Sequence, residues 1–212
     1  MDVGQGQAVI LQTPKQIWLY DAGPAYSENF DAGSRIVAPH LRRLGIHHLN
    51  MIVSHADLDH AGGVEGVFTS FNIDRLLVGE PLGKVKPMEE LCRQGQTWQA
   101  DTVTFSVLWP PGDGYSGNNS SCVLLVEFDS AGKRVRLLLP GDVDRRVERK
   151  LLTVLSEPVD WILAPHHGSN SSSSYRLLYR AQPQQVVFSA GYANRYGHPH
   201  PKVLQRYDEM GA

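Results

Sequence analysis

The sequence predicts a mixed α/β (α+β) fold, and three observations carry that prediction. Short apolar runs of strand length alternate with stretches whose apolar residues recur at helical spacing. The 212 residues are 42% hydrophobic and 20% charged, enough to fill one layered core, and no segment is poor enough in apolar residues to stay unfolded. The 20 glycines and 13 prolines are scattered rather than tandem, so they punctuate elements and do not mark a repeat.

Residues 7–12 and 16–20 predict a β-hairpin, because Ala8, Val9, Ile10 and Leu11 are apolar and Thr13-Pro14-Lys15 supplies the turn. Asp21-Ala22-Gly23-Pro24 ends the second strand. From Ser34, the apolar residues Ile36, Val37, Leu41 and Leu44 recur at helical spacing until Gly45, which predicts an amphipathic helix with Arg42 and Arg43 outward. Residues 49–53 form a short apolar strand leading into a polar cluster, and Gly62-Gly63 opens a helix through Phe68. Strands follow at 75–78, 103–109, 122–128 and 135–139, with a helical pattern at 88–93 between the first two. Helical spacing returns over 143–155, then a strand at 161–163, a helix at 175–180, a strand at 185–189 and a last helix from Lys202. Trp18, Trp109 and Trp161 lie in strand patterns and are expected in the core. The serine-rich stretch 169–174 reads either as a flexible loop or as hydroxyls that cap the next helix and face an anion.

The formal charge of −2 means that the surface as a whole does not advertise an affinity for nucleic acid, whose phosphates are met by Lys and Arg. No apolar run reaches the ~18 residues needed to cross a bilayer, and no charged-then-apolar leader precedes the first strand. Residues 1–212 therefore read as one soluble domain, and the abrupt start and stop of its patterns predict that it is excised from a larger membrane protein. Cys92 and Cys122 are each expected as a buried small hydrophobe, with a single disulfide in an oxidising compartment as the alternative.

The chemistry concentrates after the strand at 49–53, where His55, Asp57, Asp59 and His60 crowd two imidazoles and two carboxylates together. Such donors repel or stay unsatisfied unless a cation joins them, so the cluster predicts a divalent metal site. His40, His47 and His48 have no carboxylate at ligand spacing and read as surface residues. There is no Gly-x-Ser-x-Gly elbow and neither Cys sits in a nucleophile context, which favours a metal-activated water over a side-chain nucleophile.

The run Ser54-His55-Ala56-Asp57-Leu58-Asp59-His60-Ala61-Gly62-Gly63 resembles the His-x-His-x-Asp-His signature of the metallo-β-lactamase superfamily, with Asp57 in place of the commoner second His. Asp21 resembles that family's first motif, Asp142 in Leu139-Pro140-Gly141-Asp142 its bridging carboxylate, and Pro165-His166-His167-Gly168-Ser169 its last histidine motif. Within the superfamily the chain is similar to the hydrolase domain of the ComEC family of bacterial DNA-uptake proteins. Four stretches carry the likeness: Asp2-Val3-Gly4-Gln5-Gly6, Asn118-Asn119-Ser120-Ser121, the Pro165 motif and Asn194-Arg195-Tyr196-Gly197-His198-Pro199. Gln7 departs from that family, which usually has Asp there.

This resemblance implies an αββα four-layer sandwich with two divalent metals. Site one would use His55, Asp57 and Asp142, and site two Asp59, His60, Asp142 and either His166 or His167. A Gly directly after the ligand favours His167, with His166 the rival. Residues 118–121 stand where many members place a third His. Site one is thus rich in oxygen, which favours manganese, with zinc or magnesium as the other options. Asp59 would orient the attacking water and His198 would donate to the phosphate or leaving group, with Asn119, Ser120, Ser169 and Arg195 as substrate contacts.

The implied function is a deoxyribonuclease that degrades the strand not taken up during transformation. Its partners would be DNA, a membrane channel and further domains of the same polypeptide. The whole protein would sit in the bacterial inner membrane with this domain on the periplasmic or extracellular side. Two other readings are a metallohydrolase of a small ester, thioester or lactone, and a non-catalytic metal-stabilised domain that guides DNA.

Overall fold

In the computed structural model, which describes residues 1–27, 30–83 and 89–212, the first two strands are β1 (Val9–Gln12) and β2 (Ile17–Tyr20), paired antiparallel. Every residue of β2 is buried, which a strand achieves only when both faces of its sheet are covered. The short pair β3 (Ala25–Ser27) and β4 (Phe30–Asp31) follows. Next come β5 (His48–Val53), β6 (Asn72–Val78), β7 (Glu89–Leu91), β8 (Thr97–Ala100), β9 (Val103–Trp109), β10 (Val123–Ser130), β11 (Lys133–Leu139), β12 (Trp161–Leu163) and β13 (Gln185–Val187). One sheet has the order β1-β2-β5-β6-β7, parallel from β2 onward. The other runs β13-β12-β11-β10-β9-β8, with β11, β12 and β13 parallel.

Side-chain alternation sorts these strands into layers. Ile17 and Leu19 face outward with Met51, Val53, Leu76 and Val78, under a π-helical turn Gly33–Val37 that runs into α1 (Ala38–Arg43). Their neighbours Trp18, Tyr20, Ile52 and Leu77 face inward and meet Phe105, Val107, Leu124 and Leu139 of the second sheet. Two more short helices, α2 (Leu58–Ala61) and α3 (Val64–Phe68), lie after β5. The outer face of the second sheet, with Val123, Leu125, Leu138 and Ile162, packs on α4 (Arg145–Leu151), α5 (Tyr175–Ala181) and α6 (Pro201–Met210). The layers are helix, sheet, sheet, helix, as the resemblance implied. Each fully buried Leu or Val in these three clusters contributes roughly 1.5–3 kcal/mol of burial.

Three expectations need correction. The helical pattern at 88–93 begins on Met88, which lies outside the described residues, and Glu89–Leu91 form β7 instead, because a strand edge on β6 satisfies their backbone. Cys92 and Cys122 are not free hydrophobes but a disulfide. Cys92 follows β7 and Cys122 precedes β10, so the bond ties one sheet to the other. Trp161 is 40% exposed at the start of β12, whereas Trp18 and Trp109 are buried. Sequence periodicity also missed β8 and α2, which are only four residues each.

Candidate metal centre

Parallel pairing places the C-terminal ends of β2, β5 and β6 at the same edge of one sheet, and those of β11, β12 and β13 at the same edge of the other. Those ends deliver Asp21, the 54–60 cluster and Glu80 from the first sheet, and Asp142, the 165–168 turn and Ser189 from the second. This is where open α/β sheets expose side chains that neither face buries. Gly63 lets the polar cluster approach β2, because a Cβ there would collide with the Ala22 carbonyl and with Gly33.

The adjacent histidines 166 and 167 share a left-handed turn with φ of 51° and 54°, a conformation that costs roughly 1–2 kcal/mol per residue outside glycine. The His166 N–H donates to Gly141 O at 3.0 Å and His200 N–H to Gly168 O at 2.9 Å, which pins the turn from both sides. Its consequence is that neighbouring imidazoles diverge. His167 is buried and its Nε2 lies 3.1 Å from His60 Nε2, 3.3 Å from Asp59 Oδ2 and 3.4 Å from Asp142 Oδ2. His166 is half-buried, 3.7 Å from Asp142 Oδ2, with Nδ1 facing Asn118 at 3.4 Å and Ser171 at 3.3 Å.

Asp59, His60, Asp142 and His167 each bring one ligand atom to within 4.8 Å of the others. The far side of both imidazoles is held by groups that can only accept: His60 Nδ1 donates to Asp21 Oδ2 at 2.7 Å, and His167 Nδ1 to the Ser189 carbonyl at 2.7 Å. Each Nδ1 therefore carries a proton, and each Nε2 is the nitrogen aimed into the cluster. Asp21 is fully buried and also accepts from Gln7 Nε2 at 2.8 Å, Ser54 N at 2.6 Å and Ser54 Oγ at 2.9 Å. Gln7 thus stands as a donor to the carboxylate that orients His60.

The electrostatics suit a bound cation. Burial opposes the charge on Asp142, yet the imidazoles of His60 and His167 more than offset it and hold its carboxyl well below the usual range. Burial likewise opposes protonation of His60, but Asp142 and Asp21 raise its pKa well above the ordinary value. Asp59 follows Asp142: burial raises it, and the adjacent imidazoles of His167 and His60 bring it below normal. Asp142 Oδ1 lies 3.1 Å from His60 Nε2 without a properly directed hydrogen bond, and His55 Nε2 is buried with none at all. Inward lone pairs left unpaired in a buried cluster fit a divalent metal, which would satisfy them together.

The other candidate residues fall into two groups. His55 is fully buried, with Nε2 at 3.4 Å from Asp57 Oδ2 and Nδ1 near Ser54 and Ser121. The neighbouring His55 imidazole is the main cause that lowers the Asp57 carboxyl. His198 stands beside the site, its ring centroid 5.8 Å from His166 and 6.5 Å from His167, and burial lowers its pKa with help from those two imidazoles. Ser120, by contrast, is buried with its hydroxyl turned to Gly117 O, and the Asn119 side chain is engaged with Asp144. Ser169 bonds Ser171, and Arg195 folds over the Tyr196 ring. His200 caps α6 through Lys202 N, and His48 pairs with Asp74 at the surface. Sequence reasoning missed Ser54, Ser189 and Glu80, which accepts from Ala56 N and Gly117 N. Only Ser54 had a signal, its place next to His55.

The profile of the metallo-beta-lactamase superfamily matches residues 1–191. The Escherichia coli protein named Uncharacterized protein YcaI is 34% identical over the whole of this chain, which covers 27% of that protein. ComE operon protein 3 of Bacillus subtilis is 32% identical over 97% of this chain and 30% of its own length. The chain thus spans less than a third of these relatives. Among solved structures, the subclass B3 metallo-beta-lactamase MEM-A1 from a soil metagenome library aligns with a TM-score of 0.52 at 15% identity, over 96% of this chain and 88% of that one, a likeness of fold.

Proposed function

The chain belongs to the metallo-beta-lactamase superfamily of metallohydrolases, and on that premise we propose that it is a metal-dependent phosphodiesterase that hydrolyses DNA as one domain of a longer DNA-uptake protein. The observation that carries this is the four-donor cluster of Asp59, His60, Asp142 and His167, with both Nε2 atoms turned inward by Asp21 and Ser189. A relative in Neisseria gonorrhoeae, 33% identical over 99% of this chain, is named Competence protein ComA, which supports DNA over other phosphodiesters.

Those four residues would hold one metal, and His55 with Asp57 and Asp142 a second. Three of the ligand side chains are carboxylates, which suits manganese ahead of zinc or magnesium. When bound, such ions supply a hydroxide near neutral pH and positive charge for the phosphate oxygens. The protein's own part is to orient. Asp59 has the most exposed side chain of the four-donor cluster and a lowered pKa, so at neutral pH its carboxylate accepts a hydrogen bond from water and aims the attack. His198, neutral at that pH, donates an N–H to a phosphate oxygen.

The Cys92–Cys122 disulfide supports a domain on the oxidising periplasmic or extracellular side of the inner membrane. Among the described residues no helix is long and apolar enough to cross a membrane, so the channel and anchoring would come from the rest of the polypeptide. A small-ester substrate would favour an apolar pocket at the metals. The apolar cleft of about 590 Å³ is lined by residues such as Ile10, Leu44, Phe128, Leu137 and Trp161 and meets the surroundings of the cluster at Ser189, with no member of the cluster in its wall.

The test is cleavage of labelled single- and double-stranded DNA by the metal-free chain with manganese, magnesium or zinc restored, beside Asp59→Ala. Cleavage that returns with metal and is lost in the variant supports the nuclease. Metal binding with no cut under any condition moves the small-ester and non-catalytic DNA-guiding readings ahead.

A further inference from the structure

One face of the second helical layer gathers arginines that form no ion pair among the described residues. Elsewhere, Arg75, Arg93, Lys133, Arg134 and Arg136 each pair with a carboxylate at 2.7 to 2.9 Å. Arg145 and Arg149 on α4, Arg176 on α5 and Arg206 on α6 form no ion pair among the described residues, yet with Ser174 and Tyr175 they line one open cleft of about 450 Å³. The nearby acids are already engaged. Glu148 is buried and accepts from Ser173 N and Ser174 N, while Glu209 is held by Tyr175 and Gln205.

The fold builds this cluster deliberately into the loop that follows the His167 turn. Arg206 is buried, and its guanidinium donates to Ser172 O at 2.9 Å, Ser173 O at 3.2 Å and Asn170 Oδ1 at 2.7 Å. Arg145 donates to Asn170 O at 2.6 Å from Nη2 and to Ser171 O at 3.3 Å from its backbone. The hydroxyl of the same Ser171 lies 3.3 Å from His166 Nδ1. The arginine cleft thus begins one hydrogen-bonded residue away from the histidine turn of the metal centre. Burial lowers the pKa of Arg206 and the like charge of Arg145 adds to it, with Glu148 opposing only in part.

The shape favours a repeating anion over a single one. Arg145 and Arg149 lie one turn apart on the same face of α4, about 6 Å along its axis, and Arg176 extends the row onto the next helix. The exposed rings of Tyr175 and Tyr179 stand beside it as surfaces on which bases can stack. We infer that this cleft is a track for the phosphodiester backbone of a nucleic acid, leading to the metal centre; the identity of the polyanion rests on the phosphodiesterase reading. A chain with net charge −2 then still meets phosphate, because four arginines free of ion pairs are gathered on one face.

The test uses the 212-residue chain with Arg149→Ser and Arg176→Ser together, two exposed side chains outside the metal centre. Binding of a labelled single-stranded oligonucleotide is followed by anisotropy in chelator across a salt series. Losing two phosphate contacts at ~0.7 each makes the slope of log affinity on log salt shallower by about 1.4, and weakens binding about 25-fold at 0.1 M salt. Lys15→Ser with Arg43→Ser removes the same charge from the other side of the molecule and should stay within about twofold, since charges beyond a Debye length are screened. Unchanged binding and slope in the arginine variant overturns the track, and so does an equal loss in the control. Loss of binding to phosphatidylglycerol vesicles with oligonucleotide binding intact also overturns it, in favour of a membrane surface. Hydrolysis of bis(p-nitrophenyl) phosphate with metal restored is expected to be equal in parent and variant. No hydrolysis by the parent overturns the phosphodiesterase reading, and with it the link to the metal centre, even where oligonucleotide binding follows the arginines.

Discussion

Replacing Asp21 by Asn probes the orienting network without touching a proposed ligand. Asn keeps the shape and tolerates the left-handed backbone at this position, where φ is 59°. What changes is the pattern of donors. Its oxygen can still accept from Ser54 N, but its NH₂ then meets Gln7 Nε2, Ser54 Oγ and His60 Nδ1, all of which now donate to Oδ2. The serine hydroxyl can rotate and the Gln7 amide can turn over. His60 can comply only by moving its proton to Nε2, the atom aimed at the cluster, and a protonated nitrogen is no ligand. Losing such an orienting partner costs ~10–100-fold in metal affinity, about 1.4–2.7 kcal/mol at 1.36 kcal/mol per decade. The metal-free fold should lose a further ~1.5–3 kcal/mol from the broken charge-assisted hydrogen bond. Competition of the chain with a chromophoric chelator for manganese and zinc, beside urea unfolding, measures both. A folded Asn variant that binds metal as tightly as the parent refutes the claim that Asp21 sets the tautomer of His60.

Three other predictions concern the disulfide, Glu148 and His60. The Cys92–Cys122 bond closes a separation of 30 residues, for which the loop-entropy relation gives about 3.6 kcal/mol; a paired Cys→Ser variant should lose that much in urea unfolding, and an unchanged midpoint would show that the two sheets hold together without the bond. Burial raises the Glu148 carboxyl, and hydrogen bonds from Ser173 and Ser174 offset only part of this. Its stabilisation is therefore full below the unfolded pKa of about 4.3 and is lost as pH rises through the higher folded value, so Glu148→Gln should flatten the decline of unfolding midpoints over that window; equal slopes in parent and variant would contradict it. Asp142 and Asp21 overcome the effect of burial and raise His60 well above the ordinary value, so its protonated form stabilises the metal-free fold at low pH and that gain fades as pH rises through the raised pKa. Metal binding at neutral pH should then release about one proton and tighten as pH rises, read as a buffer-dependent binding enthalpy in calorimetry; enthalpies that do not depend on the buffer would sink this assignment.

Much of the fold was legible because periodicity is a local property. The alternation in β2 and β5, the helical spacing from Ile36 to Leu41 and the long apolar strands at 103–109 and 135–139 each announce which faces are buried. The donor cluster was legible for the same reason, since His55, Asp57, Asp59 and His60 are neighbours in sequence and their mutual repulsion needs no fold to be seen. Short elements escaped: three residues at 89–91 carry too little pattern to oppose a helical spacing, and it is the free edge of β6 that makes them a strand.

What tertiary structure alone decided are relations between distant residues. The Gly that follows favours His167 by resemblance alone; a left-handed turn pinned to Gly141 and His200 is what sends one imidazole inward and leaves the other half-buried. Pairing of Cys92 with Cys122 requires two sheets face to face, and Asp21 meets His60 only because β2 and β5 run parallel and end together. The net charge of −2 is a sum over the whole surface, whereas the arginine cleft is a matter of where three helices put their side chains. Sequence determines which groups are available and how each segment repeats. Packing determines which of those groups meet, because close-packed layers accept one register and bring only certain strand ends and helix faces into contact.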